Sequence, residues 1–304
     1  MENQFLYSDK STGIEVWMKR LDKAFPHAVG NKYFKLKYNF ERARELDRDK
    51  ILTFGGAYSN HISATAELGA KRGFQTIGLI RGEELAKNER KTLKENPTLA
   101  FAHQCGMRLE FITRKSYREK HTGIFQKKIV EKYGEAYILP EGGTNALAVK
   151  GCEEILTEGD SKFDVLCCPV GTGGTMAGII NASAPHQRVL GFSALRADLR
   201  EAVKKYTRKT NWRLFPENDF KGFAKINPQL VSFINGFYGE YDILLDPIYT
   251  GKMMLKLFKA IKGGFFQKNT RILVVHTGGL QGVAGMNRKL SKKGLATIVY
   301  NDEI

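Results

Sequence analysis

Short apolar runs alternate with longer amphipathic stretches along most of this 304-residue chain. The runs are rich in Ile, Leu, Val and Phe, which is typical of strands buried on both faces. Strands are predicted at 14–19, 50–54, 75–80, 109–112, 136–139, 163–169, 189–193 and 271–276.

The amphipathic stretches between these runs have helical spacing. Helices are predicted at 33–46, after His61, over 83–107 with a break at Pro97, and at 115–133, 146–157, 176–183, 196–211, 251–262 and from 281 onward. The segments 21–29 and 212–233 are predicted to be irregular. This alternation predicts a parallel sheet covered by helices on both faces, and two α/β lobes in one chain.

Composition is that of an ordinary globular protein, with 42% hydrophobic and 26% charged residues. No apolar run is long enough to span a bilayer, and the N-terminus lacks the pattern of a secretory signal. The four cysteines form no CxxC pair and no Cys/His metal spacing. We therefore expect a cytoplasmic protein with reduced thiols, no membrane association and no metal site.

The net charge of +16 is high. It fits nucleic-acid binding, attraction of anionic ligands, or a solvated basic surface. The basic residues are spread along the chain without the aromatic interleaving of a nucleic-acid module. A specific nucleic-acid partner is therefore not expected.

Lys32 follows a Gly-Asn pair at the predicted start of a helix. The positive helix end and burial would both lower the pKa of its ammonium and free the amine as a nucleophile. Such an amine forms a Schiff base with a carbonyl compound. The alternative is an ordinary surface lysine. The tripeptide Gly-Asn-Lys on its own favours this second interpretation.

A glycine-rich segment joins a predicted strand to a predicted helix, and consists of Gly171, Thr172, Gly173, Gly174 and Thr175. Glycines allow close backbone approach, and the free N–H groups at the helix start favour a phosphate. The segment matches neither a Walker A loop nor a dinucleotide fingerprint. A phosphate cradle and a plain turn are equally compatible with it.

Ser59, Asn60 and His61 also lie where a predicted strand meets a helix. Ser59 could hold a carboxylate or move a proton, and Asn60 could donate to a phenolate oxygen. The alternative is a helix N-cap, where Ser and Asn are favoured in any protein. His61 alone is better explained as a structural residue.

Tyr249, Thr250 and Thr277 fall at two further junctions, and in open parallel sheets such junctions converge on the ligand. Taken together, these residues, Lys32 and the two segments described above supply four groups. They are an amine for an aldehyde, a cradle for a phosphate, an amide for a phenol oxygen and a hydroxyl for a pyridine nitrogen. This set of groups predicts pyridoxal 5′-phosphate (PLP) as the cofactor.

Six motifs in the same order make the chain resemble the D-cysteine desulfhydrase and 1-aminocyclopropane-1-carboxylate (ACC) deaminase family of tryptophan-synthase-β-like PLP enzymes. They are GNKYFKL (30–36), GGAYSNHISATA (55–66), EGGTNALAVKG (141–151), PVGTGGTMAGI (169–179), LLDPIYTGKMM (244–254) and VVHTGGLQG (274–282). The motifs DPIYTGK and SNH are the most specific.

The resemblance implies the two-domain open parallel-sheet fold of fold type II PLP enzymes. It implies a large PLP-binding domain formed by 1–34 and 147–304, and a small domain at 35–146. It also implies a homodimer, and symmetric dimers are in any case the commonest oligomers. The substrate that the resemblance implies is a small amino acid.

Four catalytic residues follow from the resemblance. Lys32 matches the Schiff-base lysine that also shuttles the α-proton, and Ser59 matches the serine near the substrate carboxylate. Tyr249 matches the tyrosine beside the substrate. Tyr238 could stand in for a second active-site tyrosine.

The cofactor-binding residues also follow from the resemblance. Besides Lys32, Asn60 matches the asparagine on the cofactor phenolate, and Gly171–Thr175 match the phosphate loop. Thr277 matches the residue that faces the pyridine nitrogen in the desulfhydrase branch, where Thr250 is also close.

The chain departs from the family pattern in two places. The approach to Lys32, at 19–23, lacks the usual acidic Arg-Asp-Asp-like run. The stretch between Gly239 and Asp246 is shorter than in the family, and the family's extra helix is missing there.

Thr250 separates two activities. In ACC deaminases a glutamate follows the tyrosine and keeps the pyridine nitrogen protonated, which makes the ring a strong electron sink suited to opening a cyclopropane. A neutral hydroxyl suffices for α-proton loss and departure of a thiolate. The sequence therefore favours α,β-elimination from D-cysteine, giving pyruvate, sulfide and ammonia.

Two alternatives stay open. One is ACC deamination or a related elimination from a D-amino acid. The other is a basic binding protein that keeps the PLP fold without activity, although Lys32, Ser59, Asn60 and Tyr249 argue against it.

Overall fold

The computed structural model describes residues 1–24, 30–220, 222 and 224–300. The chain divides into two compact units, which we call the larger unit (Met1–Lys35 with Ala148–Ile304) and the smaller unit (Leu36–Leu147). The family resemblance implies divisions one residue earlier, after 34 and after 146.

The secondary structure alternates as strands and helices along both units. The strands are β1 (Asn3–Asp9), β2 (Ile14–Arg20), β3 (Lys50–Gly55), β4 (Gln75–Arg81), β5 (Arg108–Ile112), β6 (Tyr137–Ile138), β7 (Val165–Val170), β8 (Arg188–Ser193), β9 (Trp212–Phe215) and β10 (Arg271–His276). The helices are α1 (Leu21–Ala24), α2 (Asn31–Glu45), α3 (Asn60–Arg72), α4 (Glu89–Glu95), α5 (Pro97–Gln104), α6 (Arg114–Arg118), α7 (Gly123–Tyr133), α8 (Ala146–Glu153), α9 (Gly174–Ala182), α10 (Arg200–Lys204), α11 (Pro228–Tyr241), α12 (Thr250–Lys262) and α13 (Gly282–Ser291).

The larger unit is built on a six-stranded sheet in the order β1-β2-β10-β7-β8-β9. Only β1 is antiparallel to its neighbour; the other pairs are parallel. Alternate residues of β10 enter two different hydrophobic clusters, with Ile272 and Val274 in one and Leu273 and Val275 in the other. The sheet is therefore covered on both faces, which explains why its central strands read as continuous apolar runs.

The smaller unit has a parallel four-stranded sheet in the order β5-β4-β3-β6. Helices α6 and α7 cover one face with Tyr117, Ile129 and Tyr133. Helices α3 and α5 cover the other, where Ile62 and Leu99 belong to the second cluster. The predicted parallel sheets between helical layers are thus confirmed in both units.

Several local predictions are wrong. The helix expected at 196–211 is present only as α10, and the single helix expected at 115–133 is divided into α6 and α7. The segment expected to be irregular at 212–233 contains β9 and the start of α11. The other irregular segment, 21–29, begins with α1, and its residues 25–29 lie outside the described part of the chain.

The helices of the larger unit follow the apolar spacing of their sequences. In α12, Met253, Met254, Leu257 and Ile261 face the core at helical spacing. Among residues 1–24, 30–220, 222 and 224–300, no helix is long and apolar enough to cross a membrane.

Candidate active site

The start of helix α2 is fixed to the end of strand β10. The Asn31 N–H donates to the Thr277 carbonyl oxygen at 3.2 Å. Gly30 has φ +51°, and a Cβ at this position would lie 2.2 Å from the same oxygen. Only glycine fits this contact, which explains why a glycine precedes Asn-Lys.

Lys32 is the second residue of α2, and its Nζ donates to Asn31 Oδ1 at 3.2 Å. Burial of the amine lowers the pKa of Lys32 below its ordinary value, against the opposing influence of Cys152 and Asp246. The amine therefore loses its proton more readily than a surface lysine, as a nucleophile or proton acceptor must.

Lys35 lies one helical turn after Lys32 and is buried. Burial first, and then the charge of Lys32, lower the pKa of Lys35 to about 7. Its Nζ donates to Thr172 Oγ1 at 3.2 Å, so this second amine is at the glycine-rich segment. The sequence motifs do not single out Lys35, although its spacing from Lys32 places both on one helix face.

The glycine-rich segment joins β7 to α9, as predicted. Helix α9 has Gly173 as its N-cap, and no described side chain caps its first N–H groups. The Thr175 hydroxyl accepts from Asn31 Nδ2 at 2.8 Å. Asn31 therefore links the amine of Lys32 to the first turn of α9, a role that its motif did not reveal.

Tyr249 packs on this segment. A Cβ at Gly171 would lie 3.1 Å from the Tyr249 ring and 3.3 Å from its hydroxyl oxygen. A side chain at position 171 would therefore press on the ring, which shows how closely Tyr249 approaches the loop. The loop between β7 and α9, the ring of Tyr249 and the two amines form one continuous site within the larger unit.

The donors of this site fit a phosphorylated aldehyde. The uncapped start of α9, the threonine hydroxyls and the ammonium of Lys35 suit a phosphate, and the Lys32 amine suits an aldehyde. In the described ranges, no group of three or more His, Cys, Asp or Glu residues could hold a metal ion.

The start of α12 is held by Asp246. Its Oδ1 accepts from the N–H groups of Ile248 and Tyr249, at 2.9 and 2.8 Å. Its Oδ2 accepts from the Thr250 N–H at 2.8 Å and from the Thr250 hydroxyl at 2.7 Å. The carboxylate is therefore fully used as a helix cap.

Thr250 and Thr277 differ in the state of their hydroxyl groups. Thr250 is fully buried, and its oxygen also accepts from the Asp246 N–H at 2.9 Å. The Thr277 hydroxyl makes no hydrogen bond within the part of the chain that the structure describes. Both residues stay predicted cofactor contacts, but only Thr277 has a hydroxyl without a protein partner.

Ser59 and Asn60 lie in the smaller unit. Ser59 is the N-cap of α3, and its Oγ accepts from the Ile62 N–H at 3.4 Å; Asn60 is the first residue of the helix and is partly exposed. His61 is buried with Nε2 2.7 Å from Thr53 Oγ1. A structural role for His61 and the predicted ligand contacts of Ser59 and Asn60 all stay predictions.

Tyr238 lies in the C-terminal half of α11 and packs, partly buried, against the hydrophobic core of the larger unit. Its hydroxyl makes no hydrogen bond to any described residue. Its predicted role as a second active-site tyrosine stays a prediction.

The layered parallel sheets, a lysine amine whose pKa is lowered by burial and a glycine-rich loop at a helix start fit a PLP enzyme of fold type II. A family model described as pyridoxal-phosphate dependent enzyme matches residues 5–278. The chain belongs to this family, and PLP is its cofactor.

Relatives and solved structures agree with this assignment. A Thermotoga maritima protein, provisionally named 1-aminocyclopropane-1-carboxylate deaminase, is 28% identical over 91% of this chain and 93% of its own length. An Arabidopsis thaliana protein named bifunctional D-cysteine desulfhydrase/1-aminocyclopropane-1-carboxylate deaminase, mitochondrial, is 27% identical over 89% of this chain and 74% of its own. The resemblance found in the motifs is thus confirmed.

The fold is confirmed by two solved structures. One, described as an ACC deaminase homologue, has a TM-score of 0.80 at 24% identity and covers 96% of this chain and 93% of its own. The other, the processed form of threonine deaminase isoform 2 from Solanum lycopersicum, has a TM-score of 0.64 at 16% identity and covers 92% of this chain and 84% of its own.

Proposed function

We propose that the protein is a PLP-dependent lyase that carries out α,β-elimination on a small D-amino acid. D-Cysteine is the favoured substrate, and with one water molecule it gives pyruvate, sulfide and ammonia. When bound, PLP supplies an aldehyde for an amine and a ring that withdraws electrons, more strongly when a carboxylate holds its nitrogen protonated.

The observation that carries the proposal is the free hydroxyl of Thr277. Asp246 cannot replace the missing glutamate, because both of its oxygens are used in capping α12. Thr250 donates to the same carboxylate through its N–H and its hydroxyl. A neutral hydroxyl at Thr277 suits departure of a good leaving group such as a thiolate better than opening of a three-carbon ring.

Lys32 is the proposed acid and base. Burial lowers its pKa, so Nζ loses its proton more readily than an ordinary lysine and can accept the α-proton of the substrate. Asn31 orients this nitrogen, because its Oδ1 accepts from Nζ while its Nδ2 is anchored on Thr175.

Phosphate binding is assigned to Gly171–Thr175 with Lys35. Tyr249 is proposed to lie beside the substrate, Ser59 to hold the substrate carboxylate, and Asn60 to donate to the phenolate oxygen. Tyr238 remains a candidate for the substrate pocket.

ACC deamination is the second candidate function. It is supported by the Thermotoga maritima relative, whose provisional name carries that activity alone. The Arabidopsis relative carries both activities in its name, so that the family name does not separate them.

The test is release of 2-oxo acid by the purified, PLP-loaded protein, with D-cysteine and ACC run in parallel. We expect pyruvate from D-cysteine and no 2-oxobutyrate from ACC. L-Cysteine controls for stereochemistry, and Lys32→Ala controls for contaminating activity. 2-Oxobutyrate from ACC, without pyruvate from D-cysteine, would contradict the proposal.

A cytoplasmic location and a homodimer are also proposed. The first is supported by composition, and the second by the commonness of symmetric dimers. Sedimentation of the loaded protein would test the oligomeric state.

A further inference from the structure

A buried histidine lies directly before the turn that carries Thr277. His276 is the last residue of β10, and no part of it is exposed. Its Nε2 is 2.8 Å from the Leu244 carbonyl oxygen, and its Nδ1 is 3.2 Å from the Gly278 backbone nitrogen. The imidazole therefore bridges the segment before α12 and the turn after β10.

These two partners define the protonation of the ring. A carbonyl oxygen only accepts, so Nε2 carries the hydrogen. A backbone N–H only donates, so Nδ1 presents its lone pair to Gly278. The described geometry is that of the neutral imidazole with hydrogen on Nε2.

A carboxylate also faces the same Nδ1. Asp22 Oδ1 lies 3.4 Å from Nδ1. Both oxygens of Asp22 are bound by Arg20, whose Nε is 3.0 Å from Oδ1 and whose second terminal nitrogen is 2.6 Å from Oδ2. Arg20 thus neutralises Asp22, which allows the carboxylate to lie beside a lone pair.

The turn held by His276 presents two groups of Thr277 in the larger unit. The Thr277 carbonyl accepts from the Asn31 N–H and so fixes the start of the helix that carries Lys32. The Thr277 hydroxyl is the one without a partner among the described residues, and it is a predicted cofactor contact.

We propose that His276, in its neutral Nε2–H form, is a positioning residue for the Thr277–Gly279 turn and thereby for the cofactor. The Gly278 hydrogen bond fixes the peptide plane between Thr277 and Gly278, and with it the direction of the Thr277 carbonyl and the place of the Thr277 Cα from which the side chain extends. This proposal rests on the proposed contact of Thr277 with the cofactor, but not on the identity of the substrate.

The first measurement is the tautomer itself. Long-range ¹H–¹⁵N correlation spectra of the cofactor-free protein, with His276→Asn for assignment, should show a neutral ring protonated on Nε2 at neutral pH. An imidazolium at that pH would mean that Asp22, and not Gly278, is its partner, and would overturn the proposal.

The second measurement is PLP affinity of cofactor-free variants, by spectral titration. His276→Phe keeps the ring volume but removes both hydrogen bonds, and we expect the dissociation constant to rise roughly tenfold. His276→Asn keeps an acceptor that can reach the N–H two residues later. It should stay within about threefold of the natural protein, as should the exposed-site control His186→Asn.

A double-mutant cycle connects His276 to Thr277. Thr277→Val should weaken PLP binding alone, but add little on top of His276→Phe, because the turn is already displaced. Fully additive losses, or unchanged affinity in His276→Phe, would refute the positioning role. Thermal unfolding shows whether each variant is folded. If His276→Phe does not fold, the tautomer measurement and the PLP affinity of His276→Asn test the positioning role in its place.

These outcomes are independent of the reaction. All of them are read from the cofactor-free protein or from cofactor binding, without substrate. A failure of D-cysteine turnover would therefore leave the role of His276 standing, and the reverse also holds.

Discussion

Lys32 and Lys35 bring two amines to one side of a helix in an environment that disfavours their charge. Lys35 is almost fully buried, and its pKa is lowered to about 7. A phosphate at the neighbouring loop would reverse this situation, because a dianion favours the charged form of Lys35. The cost of burying the amine in the free protein is therefore connected to cofactor binding.

The first prediction at the residue scale is a trade-off at position 35. Lys35→Met keeps the aliphatic stem and removes the amine, so we expect higher stability of the cofactor-free protein and weaker PLP binding. Because the shift is large, the gain in the free energy of unfolding at pH 7 should be a few kcal/mol. Chemical denaturation and spectral titration with PLP measure the two effects.

The sign of the pH dependence follows from the same shift. Between about pH 7 and the ordinary lysine value of 10.5, the unfolded chain holds a proton that the folded chain has lost. The stability of the natural protein relative to Lys35→Met should therefore rise across this window. An exposed control, Lys128→Met, should show no such rise; equal pH curves for Lys35→Met and the natural protein would contradict the assignment.

At the scale of elements, the hydrogen bonds at the start of α12 distinguish Thr250 from Thr277, which residue type alone does not. Thr250→Val removes the hydroxyl that Asp246 binds at 2.7 Å, and so leaves a buried carboxylate oxygen with one partner fewer. We expect a loss of about 1–3 kcal/mol in stability and a smaller loss of PLP affinity than in Thr277→Val. Thr250→Ser, which keeps the hydroxyl, should recover most of the loss.

Thr277→Val is the matched variant, since its hydroxyl has no protein partner to lose. It should leave stability within about 0.5 kcal/mol of the natural protein, as for substitutions away from buried networks, while weakening cofactor binding and turnover. If Thr250→Val instead reduces PLP affinity without loss of stability, the assignment of the two threonines is reversed.

The elements that the sequence predicted well are those whose burial leaves a strong pattern. Strands β3, β4, β7 and β10 are buried on both faces, so each appears as an apolar run between turns. The edge strand β9 is only partly buried and four residues long, and leaves no such run. Helix α11 could have been found, because Asn227 caps it and Pro228 occupies its first turn.

The failed helix at 196–211 has a physical reason in its tertiary contacts. Only Leu199 and Val203 of α10 and its N-cap are buried, so little apolar area supports a longer helix. Farther on, Lys209 donates to the carbonyl oxygens of Asn181 and Ser183, at 2.7 and 2.6 Å. These bonds tie the segment to the end of α9, which periodicity cannot reveal.

At the scale of the whole molecule, the site is assembled from segments far apart in sequence. Motifs located Lys32, the Gly171–Thr175 loop and Tyr249, because a local pattern identifies each of them. The pairing of His276 with Gly278 and Asp22 was not predictable, since it depends on how α1 meets the end of β10. The contact between Thr250 and Asp246 is local, since the two are four residues apart, but residue types alone do not show whether the hydroxyl binds the carboxylate or a ligand.

The net charge of +16 also acts on the molecule as a whole. Like charges repel one another in the compact state, and acid increases this repulsion by protonating carboxylates. Among the charged groups, buried ion pairs are the most sensitive to the loss of a carboxylate charge in acid. Lys19 and Asp160 form such a pair, with Nζ 2.8 Å from Oδ2 and both side chains almost fully buried.

The last prediction concerns acid stability. Burial opposes ionisation of Asp160, but hydrogen bonds from Lys19, the Thr157 N–H and Asn3 outweigh it, so its pKa lies below the ordinary value. The stabilisation is present above the unfolded aspartate pKa of about 3.9 and is lost as the pH falls through the lower folded value. Asp160→Asn should therefore cost roughly 3 kcal/mol at pH 7 and show a shallower fall in stability in acid.

Asp47→Asn is the matched control, because it removes the same charge at an exposed position without an ion pair among the described residues. It should leave stability at pH 7 within about 0.5 kcal/mol of the natural protein. Denaturation at pH 7 and pH 3, in low and high salt, separates the two effects, since salt screens the general repulsion but hardly affects a buried pair. If Asp160→Asn and Asp47→Asn lose stability in parallel as the pH falls, acid sensitivity belongs to the total charge and not to the Lys19–Asp160 pair.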